Sequence, residues 1–193
     1  LKHLANLQPG EGVLIHGAAG GVGLAAIQIA RLLGAEVYAT AGTPDKRDFL
    51  RLLGVEHCYD SRSLHFAEQI LAATGGRGVE VVLNSLSGAA ITRSLEVLQP
   101  FGRFIELGKR DFFANTRVGL RPFRNNLSYF GVDVDQLMRL QPALARQLLD
   151  EVMGHFQTGG FTPLPYRVFG AERIVEAFRH MQSARHIGKI VVT

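Results

Sequence analysis

Cysteine is nearly absent from this sequence. Cys58 is the one cysteine among 193 residues, which excludes a disulfide framework and disfavours a zinc site built on thiolates. A chain without disulfides fits a reducing compartment, so we expect a cytoplasmic location. Histidine pairs with metal-ligand spacing are missing too, because none of the seven histidines forms H-x-x-x-H. We therefore expect no metal site.

Long apolar runs and dense blocks of charge are also missing. No apolar run reaches the ~20 residues of a membrane span, and the opening "LKHLANLQPGE" lacks the hydrophobic region of a signal peptide. The net charge is only +4, without a Lys/Arg block of the kind that binds nucleic acid. We expect neither a membrane span nor a nucleic-acid partner. The lack of G-x-S-x-G disfavours a hydrolase.

Short apolar strands alternate with amphipathic helices along most of the chain. The strand segments are "VLIH", "EVYAT", "EHCYD", "VEVVLNS", "GRFIELG" and "NLSYFGVD". Between them lie helical segments such as "VGLAAIQIARLLGA", where Val22, Ala26, Ile29 and Leu33 share one face. Another helix, "GAAITRSLEVL", is expected to continue until Pro100. Apolar strands separated by helices predict an α/β fold, a doubly wound (Rossmann) parallel sheet with helices on both faces.

The end of the chain departs from this alternation. A long amphipathic helix, "QPALARQLLDEVMGHF", precedes a strand, a helix and a last strand, "KIVVT". We expect residues 1–160 to form a dinucleotide-binding Rossmann domain and residues 161–193 to form a C-terminal segment of another, mostly absent lobe. The start at Leu1, in a helix end, indicates a piece of a larger protein.

The stretch "HGAAGGVGLAA" has the pattern A-x-G-x-x-G, with Ala18, Gly20 and Gly23 at its small-residue positions. A pyrophosphate needs free backbone N–H groups at a helix N-terminus. Ala18 would serve at the tight turn, Gly20 would let the phosphates approach, and Gly23 would let helix and strand pack closely. A strand precedes the motif and a helix follows it, so we predict a phosphate cradle. Its residues are Ala18, Ala19, Gly20, Gly21, Val22 and Gly23.

The end of the second strand indicates which dinucleotide binds. An NAD site usually carries an acid there for the ribose hydroxyls, but this sequence reads "ATAGTPDKR". Lys46 lies in the first turn of the next helix, where a cation and the Thr43 hydroxyl suit a 2′-phosphate. We predict NADPH rather than NADH as the cofactor. The alternative is that Lys46 is an ordinary exposed lysine.

Several longer stretches resemble one family of enzymes. "HGAAGGVGLAAIQIARLLGAEVYATAGTPDKRDFL", "VVLNSLSG", "GRFIELGKRD" and "ARHIGKIVVT" resemble the enoylreductase domains of modular polyketide synthases and animal-type fatty acid synthases. These are zinc-free members of the medium-chain dehydrogenase/reductase superfamily, and the sequence resembles those of actinobacterial synthases in particular.

The resemblance implies a function and partners. Members of the family have a GroES-like substrate lobe beside the Rossmann lobe. They use NADPH to reduce the α,β double bond of an enoyl thioester on the phosphopantetheine of an acyl carrier protein. It therefore implies partners in the carrier protein and the other synthase domains. In the superfamily the last strand of the sheet, here "NLSYFGV", commonly pairs with its twin in a homodimer. A fragment without the substrate lobe would reduce substrate poorly.

The resemblance also implies site residues. Lys109 matches the lysine proposed as proton donor, and Asp133 best matches an aspartate near it, with Asp135 as the rival. A cluster of further positions would contact the cofactor: Asn84, Ser85 and Leu86 near the nicotinamide, Ser61 and Arg62 near the 2′-phosphate, Gly188 and Lys189 in the tail, and Gly108. Ser61 could instead cap a helix, and Lys189 could simply be exposed.

Two other functions remain open at this point. One is a free-standing NADPH-dependent quinone or alkenal reductase of the same superfamily. The other is a non-catalytic module that binds NADPH or mediates dimerisation.

Overall fold

A six-stranded parallel sheet forms the centre of the protein. The structure is a computed structural model that describes residues 1–193. The strands are β1 (Gly12–Ile15), β2 (Glu36–Ala41), β3 (His57–Asp60), β4 (Val79–Asn84), β5 (Leu98–Glu106) and β6 (Ser128–Gly131). Their spatial order is β3-β2-β1-β4-β5-β6, and every neighbouring pair is parallel. The strand order reverses between β1 and β4, the position where doubly wound folds bind ligands. The predicted fold class is confirmed.

Helices connect the strands and cover both faces of the sheet. The helices between the strands are α1 (Gly21–Leu32), α2 (Pro44–Leu52), α3 (Phe66–Ala73), α4 (Ala89–Glu96) and the short α5 (Arg110–Phe113). After β6 come α6 (Val134–Leu140), α7 (Pro142–Gln157) and α8 (Ile174–Gln182). The sequence did not predict the short helices α5 and α6, nor the 3₁₀ turns at Arg121–Asn125 and Ala171–Arg173. None of the helices combines the length and apolar character that crossing a membrane would require.

The sheet has an apolar core on each face because successive strand side chains point in opposite directions. Val13 and Ile15 of β1 belong to a core of 17 buried residues. Leu14, between them, belongs to a second core of 12 buried residues that includes Phe66 and Phe104. Burial on both faces explains why these strands are continuously apolar in sequence.

The buried face of α1 differs from the face that the apolar spacing indicated. Val22 is 59% exposed, whereas Ala26, Ile27 and Ala30 are buried. The cause is Gly23, where an added Cβ would collide with the backbone of Ala18. This glycine brings the 23/26/27/30 face against the sheet, and Val22 consequently points outward.

The junction between α4 and β5 also differs from the prediction. The helix expected to extend to Leu98 ends at Glu96, and β5 begins at Leu98 instead of Gly102. Val79 pairs with Leu98, but Val81 pairs with Arg103, so β5 contains an irregularity. Phe101 adopts a positive φ of 64° there. Such a bulge accommodates Pro100, which cannot donate a ladder hydrogen bond.

The C-terminal residues form a second, smaller sheet. β7 (Tyr166–Phe169) and β8 (Lys189–Val192) are parallel and are connected through α8. The amide of Gln28 in α1 holds the backbone N–H and carbonyl of Thr162, at 2.8 and 3.0 Å. An isolated bridge joins Gly20 to Gly188. The C-terminal segment therefore contacts α1 through Thr162 and contacts Gly20, the residue before α1, through Gly188.

Replacement of a core aromatic side chain tests this packing. Phe104 is fully buried and stacks on Tyr129, with ring centroids 5.1 Å apart. We expect Phe104→Ala to lower the free energy of unfolding by about 3–5 kcal/mol, because it removes apolar burial and leaves a cavity. Phe113, which is 86% exposed, provides the control, and Phe113→Ala should cost less than about 0.5 kcal/mol. Urea unfolding measures both, and equal losses would contradict the assigned core.

Candidate functional site

The start of α1 provides unpaired backbone donors at the carboxyl edge of the sheet. The first bond within the helix joins the N–H of Leu24 to the carbonyl of Gly20. Gly21 faces the backbone of Gly188 through the isolated bridge, so the N–H groups of Val22 and Gly23 are the ones available to a ligand. They border a cavity of about 180 Å³. Its lining residues are His16, Gly17, Gly20, Gly21, Val22, Gly23, Leu83, Ser85 and Leu107.

Gly23 packs closely against the backbone of Ala18, as the motif suggested, whereas the task expected of Ala18 is divided between Gly17 and Ala18. The left-handed backbone conformation of the tight turn is at Gly17, with φ of 61°, and not at Ala18. Alanine is therefore tolerated at position 18, where the side chain is buried in the core, as is that of Ala19. These two residues lie behind the cavity. Gly20 remains close-packed, since a Cβ there would lie 3.3 Å from the carbonyl oxygen of Gly17.

The C-terminal tail closes one side of the cradle. The N–H of Gly188 donates to the carbonyl of Ala19 at 2.9 Å, and Gly188 has a positive φ of 71° against the backbone of Pro165. The side chain of Lys189 lies over Gly21, where any Cβ would strike it. A cation is thus brought to the N-terminus of α1, where the helix dipole already favours an anion.

A second basic group surrounds the end of β2. Gly42 has no side chain, and a Cβ there would lie 3.2 Å from Nε of Arg62 and 3.4 Å from Oγ of Ser61. Thr43 caps α2 by accepting a hydrogen bond from the N–H of Lys46 at 3.4 Å. Because α3 begins only at Phe66, Ser61 does not cap it.

Neither Lys46 nor Arg62 forms an ion pair, and the carboxylate of Asp60 accepts from the backbone N–H of Arg62 at 2.9 Å. Nζ of Lys46 donates to the carbonyl of Ala184 in the tail at 2.8 Å. Burial and, secondly, the positive charge of Arg62 lower the pKa of Lys46. Arg47, next in sequence, instead binds the carbonyl of Ala41 at 3.0 Å and faces Asp60 at 3.6 Å. Two unneutralised cations beside a helix N-terminus are suited to a phosphate.

His16 forms a buried polar network that the sequence did not reveal. The hydroxyl of Ser94 donates to the carbonyl of Ala90 at 2.7 Å, so its oxygen accepts from Nε2 of His16 at 2.8 Å. Nδ1 then accepts from the hydroxyl of Thr40 at 2.9 Å. Burial lowers the pKa of His16 to about 3, so the ring is neutral and its tautomer is fixed. The imidazole links β1, β2 and α4 directly beneath the cradle.

The loop after β4 is shaped by Asn84. This side chain is fully buried. Its amide nitrogen donates to the carbonyl of Leu86 at 2.8 Å, and its oxygen accepts from the N–H of Leu86 at 3.1 Å. Asn84 therefore holds the loop rather than presenting its amide to the cavity. Ser85 lines the cavity and donates to the carbonyl of His16 at 3.3 Å.

The last residue of β5, Glu106, is a buried carboxylate beside this loop. Its side-chain oxygens accept from the amide of Asn84 and from the N–H of Gly108, each at 2.6 Å. Burial raises the pKa of Glu106, and both hydrogen bonds oppose that effect. Burial and the charge of Glu106 also raise the pKa of Tyr129 to about 12. The sequence analysis missed Glu106, although an acid at the end of an otherwise apolar strand was the available signal.

Lys109 and two aspartates meet at the same edge of the sheet. Nζ of Lys109 lies 3.0 Å from Oδ1 of Asp133 and also hydrogen-bonds Asp135. Asp133 caps α6 by accepting from the N–H of Asp135 at 3.1 Å. The hydrogen bonds to Asp135 and Asp133 raise the pKa of Lys109, and the bond from Lys109 lowers the pKa of Asp133. The side chain of Lys109 is 39% exposed, so it remains accessible.

A second cavity lies away from this site. This larger cavity of about 500 Å³ lies beside the start of β5, at the opposite end of that strand from Glu106, and Arg121 and Arg124 line it.

The side chains of this chain do not fit a metal centre, because no group of three or more His, Cys, Asp or Glu residues could hold an ion.

Comparison with known proteins gives one consistent family. Residues 53–192 match the family model described as zinc-binding dehydrogenase. The chain is 49% identical, over all its residues, to a phenolphthiocerol/phthiocerol polyketide synthase of Mycobacterium tuberculosis. It spans only 9% of that relative's length.

Solved structures agree. The nucleotide-binding subdomain of the enoylreductase domain of PpsC from Mycobacterium tuberculosis is 50% identical, with a TM-score of 0.79. That match covers 82% of this chain and 89% of the subdomain. The CurK enoyl reductase is 46% identical with a TM-score of 0.88, and all of this chain matches 57% of it.

The buried histidine predicts a pH dependence of stability. The unfolded chain binds a proton at His16 below a pKa of about 6.5, whereas the folded protein does so only near 3. Protonation therefore favours unfolding, and stability falls as the pH decreases through this window. We expect His16 to contribute a slope of roughly 1.4 kcal/mol per pH unit below pH ~6.5.

Urea unfolding between about pH 6.5 and 5 measures this slope above the range where most carboxylates titrate. The variant His16→Gln should be less stable at neutral pH but should show a flatter dependence. An unchanged slope in that variant would contradict the buried neutral ring.

Proposed function

Because the chain belongs to the zinc-binding dehydrogenase family, with the nucleotide-binding subdomains of polyketide synthase enoylreductases, we propose a specific role for it. It forms the cofactor-binding part of an oxidoreductase that uses NADPH to reduce the α,β double bond of an enoyl thioester on an acyl carrier protein. The observation that carries this proposal is that the cradle, the basic group and Lys109 lie at one edge of the sheet.

The charges at the end of β2 support NADPH as the cofactor. The cradle N–H groups of Val22 and Gly23 and the cation of Lys189 would hold the pyrophosphate. At the end of β2, the positive charges of Lys46 and Arg62 repel each other. A bound 2′-phosphate would remove that repulsion. The hydroxyls of Thr43 and Ser61 would add hydrogen bonds to the same phosphate.

Lys109 is proposed as the proton donor of the reaction. When bound, NADPH supplies a hydride to the β-carbon of the enoyl thioester. The ammonium of Lys109 would stabilise the negative charge that develops on the thioester oxygen and give a proton to the α-carbon. Asp133 and Asp135 keep it protonated, because both raise its pKa. The loop after β4, which contains Ser85, and the loop after β5, which contains Gly108, would border the nicotinamide.

The division of the chain and its partners complete the proposal. Residues 1–160 form the Rossmann domain, and residues 161–193 return towards a GroES-like substrate lobe. Apolar side chains of the tail, such as Phe178 and Met181, are about half exposed and would pack against that lobe. The carrier protein and other synthase domains are the proposed partners, in the cytoplasm. β6 is an edge strand, so it could pair with its twin in a homodimer.

Two other functions are separated from this one by direct measurement. A free-standing quinone or alkenal reductase would reduce a quinone faster than a pantetheine-linked crotonyl thioester. A non-catalytic module would bind NADPH in a fluorescence titration but would reduce neither substrate in the full-length protein. The pairing of an accessible lysine with two aspartates favours catalysis over a binding module.

Replacement of Lys46 tests the choice of cofactor. We expect Lys46→Ala to weaken NADPH binding about tenfold, since one charge-assisted hydrogen bond is lost. The affinity for NADH should remain within about twofold, because NADH has no 2′-phosphate. Fluorescence titration of both cofactors measures the change.

A cation on the same helix provides the control. Arg51 is exposed and pairs with Asp48 at 2.6 Å, so Arg51→Ala should leave both affinities unchanged. Equal affinities of the wild type for NADPH and NADH, or a preference that survives Lys46→Ala, would refute the assignment.

Replacement of Lys109 tests the proposed chemistry in the complete enoylreductase domain. We expect Lys109→Ala to slow turnover about 100-fold or more, as the loss of a general acid does, with NADPH affinity nearly unchanged. The neighbouring cation is the control, and Arg110→Ala should retain wild-type turnover. Stopped-flow absorbance of NADPH measures both.

The two aspartates are tested separately. Asp133 is less exposed than Asp135, 34% against 77%, so Asp133→Asn should slow turnover more than Asp135→Asn. The reverse order would assign the supporting role to Asp135. Wild-type turnover in Lys109→Ala would exclude Lys109 as the sole donor.

A further inference from the structure

Glu106 connects the two loops that border the cavity. It is 1% exposed, and a charged carboxylate at that depth needs donors on its oxygens. Oε2 accepts from the amide of Asn84, and Oε1 accepts from the N–H of Gly108. One side chain thus ties the loop after β4 to the loop after β5.

Both of these loops carry residues of the proposed site. Asn84, held by Glu106, fixes the backbone of Leu86 through two hydrogen bonds. Gly108 directly precedes Lys109 in the chain. A Cβ on Gly108 would lie 2.8 Å from Oε1 of Glu106, so the carboxylate and the bare backbone fit together closely. Any shift of Glu106 moves both loops at once.

We propose that Glu106 is a positioning residue for the nicotinamide end of the cofactor, which it acts on through Asn84 and Gly108. This inference rests on the proposed function, because it assumes that the cofactor lies with its nicotinamide beside these two loops. Glu106 itself is behind them, since it is buried and does not line the cavity.

The chain offers a matched carboxylate at the opposite edge of the same sheet. Glu80 of β4 also accepts from a backbone N–H, that of Gly12 at 2.6 Å, and from a side-chain amide, that of Gln99 at 2.8 Å. The donors are of the same two types as those of Glu106. Glu80 therefore provides a control for the loss of stability when such a carboxylate is replaced.

The test compares two ligands that differ in the nicotinamide half. NADPH contains it, whereas adenosine 2′,5′-bisphosphate has only the adenine, ribose and 2′-phosphate end. In Glu106→Gln, an NH₂ group replaces one carboxylate oxygen and must face either the amide of Asn84 or the N–H of Gly108. Both of these groups are donors, so one hydrogen bond is lost and the loops move. We expect NADPH affinity to fall about tenfold and the affinity for adenosine 2′,5′-bisphosphate to stay within about twofold. Titration calorimetry measures both on the 193-residue chain.

Two further variants make the result specific. Glu80→Gln should leave both affinities unchanged, although it removes a similar carboxylate. Gly108→Ala displaces the carboxylate of Glu106 without removing its charge, and should weaken NADPH selectively as well. It also covers the case in which Glu106→Gln fails to fold.

The outcomes distinguish this inference from the proposed function. An equal loss for both ligands in Glu106→Gln and Gly108→Ala, or no loss for either, would overturn the positioning role alone. If the wild type bound NADPH but reduced no enoyl thioester, the proposed reaction would fail while the ligand comparison still decided the role of Glu106. If the wild type bound neither ligand, both proposals would fall.

Discussion

The parallel direction of all six strands is the constraint on which the rest of the structure depends. Each helix returns the chain to the amino edge of the sheet, so every strand ends at the same carboxyl edge. Residues far apart in sequence, such as Gly20, Asn84 and Lys109, are consequently gathered there. The reversal of strand order between β1 and β4 leaves a gap at that edge, because α1 and α4 lie on opposite faces. The cradle occupies this gap.

Polar groups behind the carboxyl edge of the sheet are paired, whereas several of those at the edge are not. Behind it, His16, Asn84 and Glu106 are buried, and each finds its hydrogen-bond partners among neighbouring strands and loops. Burial in this form is costly unless every partner is in place, so these side chains specify the positions of the loops. At the edge, Lys189 and Arg62 have no ion-pair partner, and the helix N–H groups are free. The buried groups thus give fixed geometry, and the exposed ones give an affinity for anions.

Much of the fold followed from the sequence because its signals are local. Glycine and proline mark the helix ends, as at α2, which Thr43 caps and Gly54 follows with a positive φ. Continuous apolar strands indicated a sheet buried on both faces. The errors occurred where a distant contact outweighs the local pattern. Gly23 turned α1 away from its predicted face, and the bulge at Pro100 started β5 early. Helices α5 and α6 are too short to produce a periodic signal.

The sequence by itself determined the class of the fold, and it supplied the motifs on which the proposals of a phosphate cradle and of NADPH rest, because such motifs are short and have their own backbone requirements. Only the tertiary structure decided which side chains meet. It placed the left-handed residue of the tight turn at Gly17, put both Asp133 and Asp135 within reach of Lys109, and revealed the pairing of Glu106 with Asn84 and Gly108. The physical reason is that strand register and helix rotation set these distances, and both depend on packing across the whole sheet.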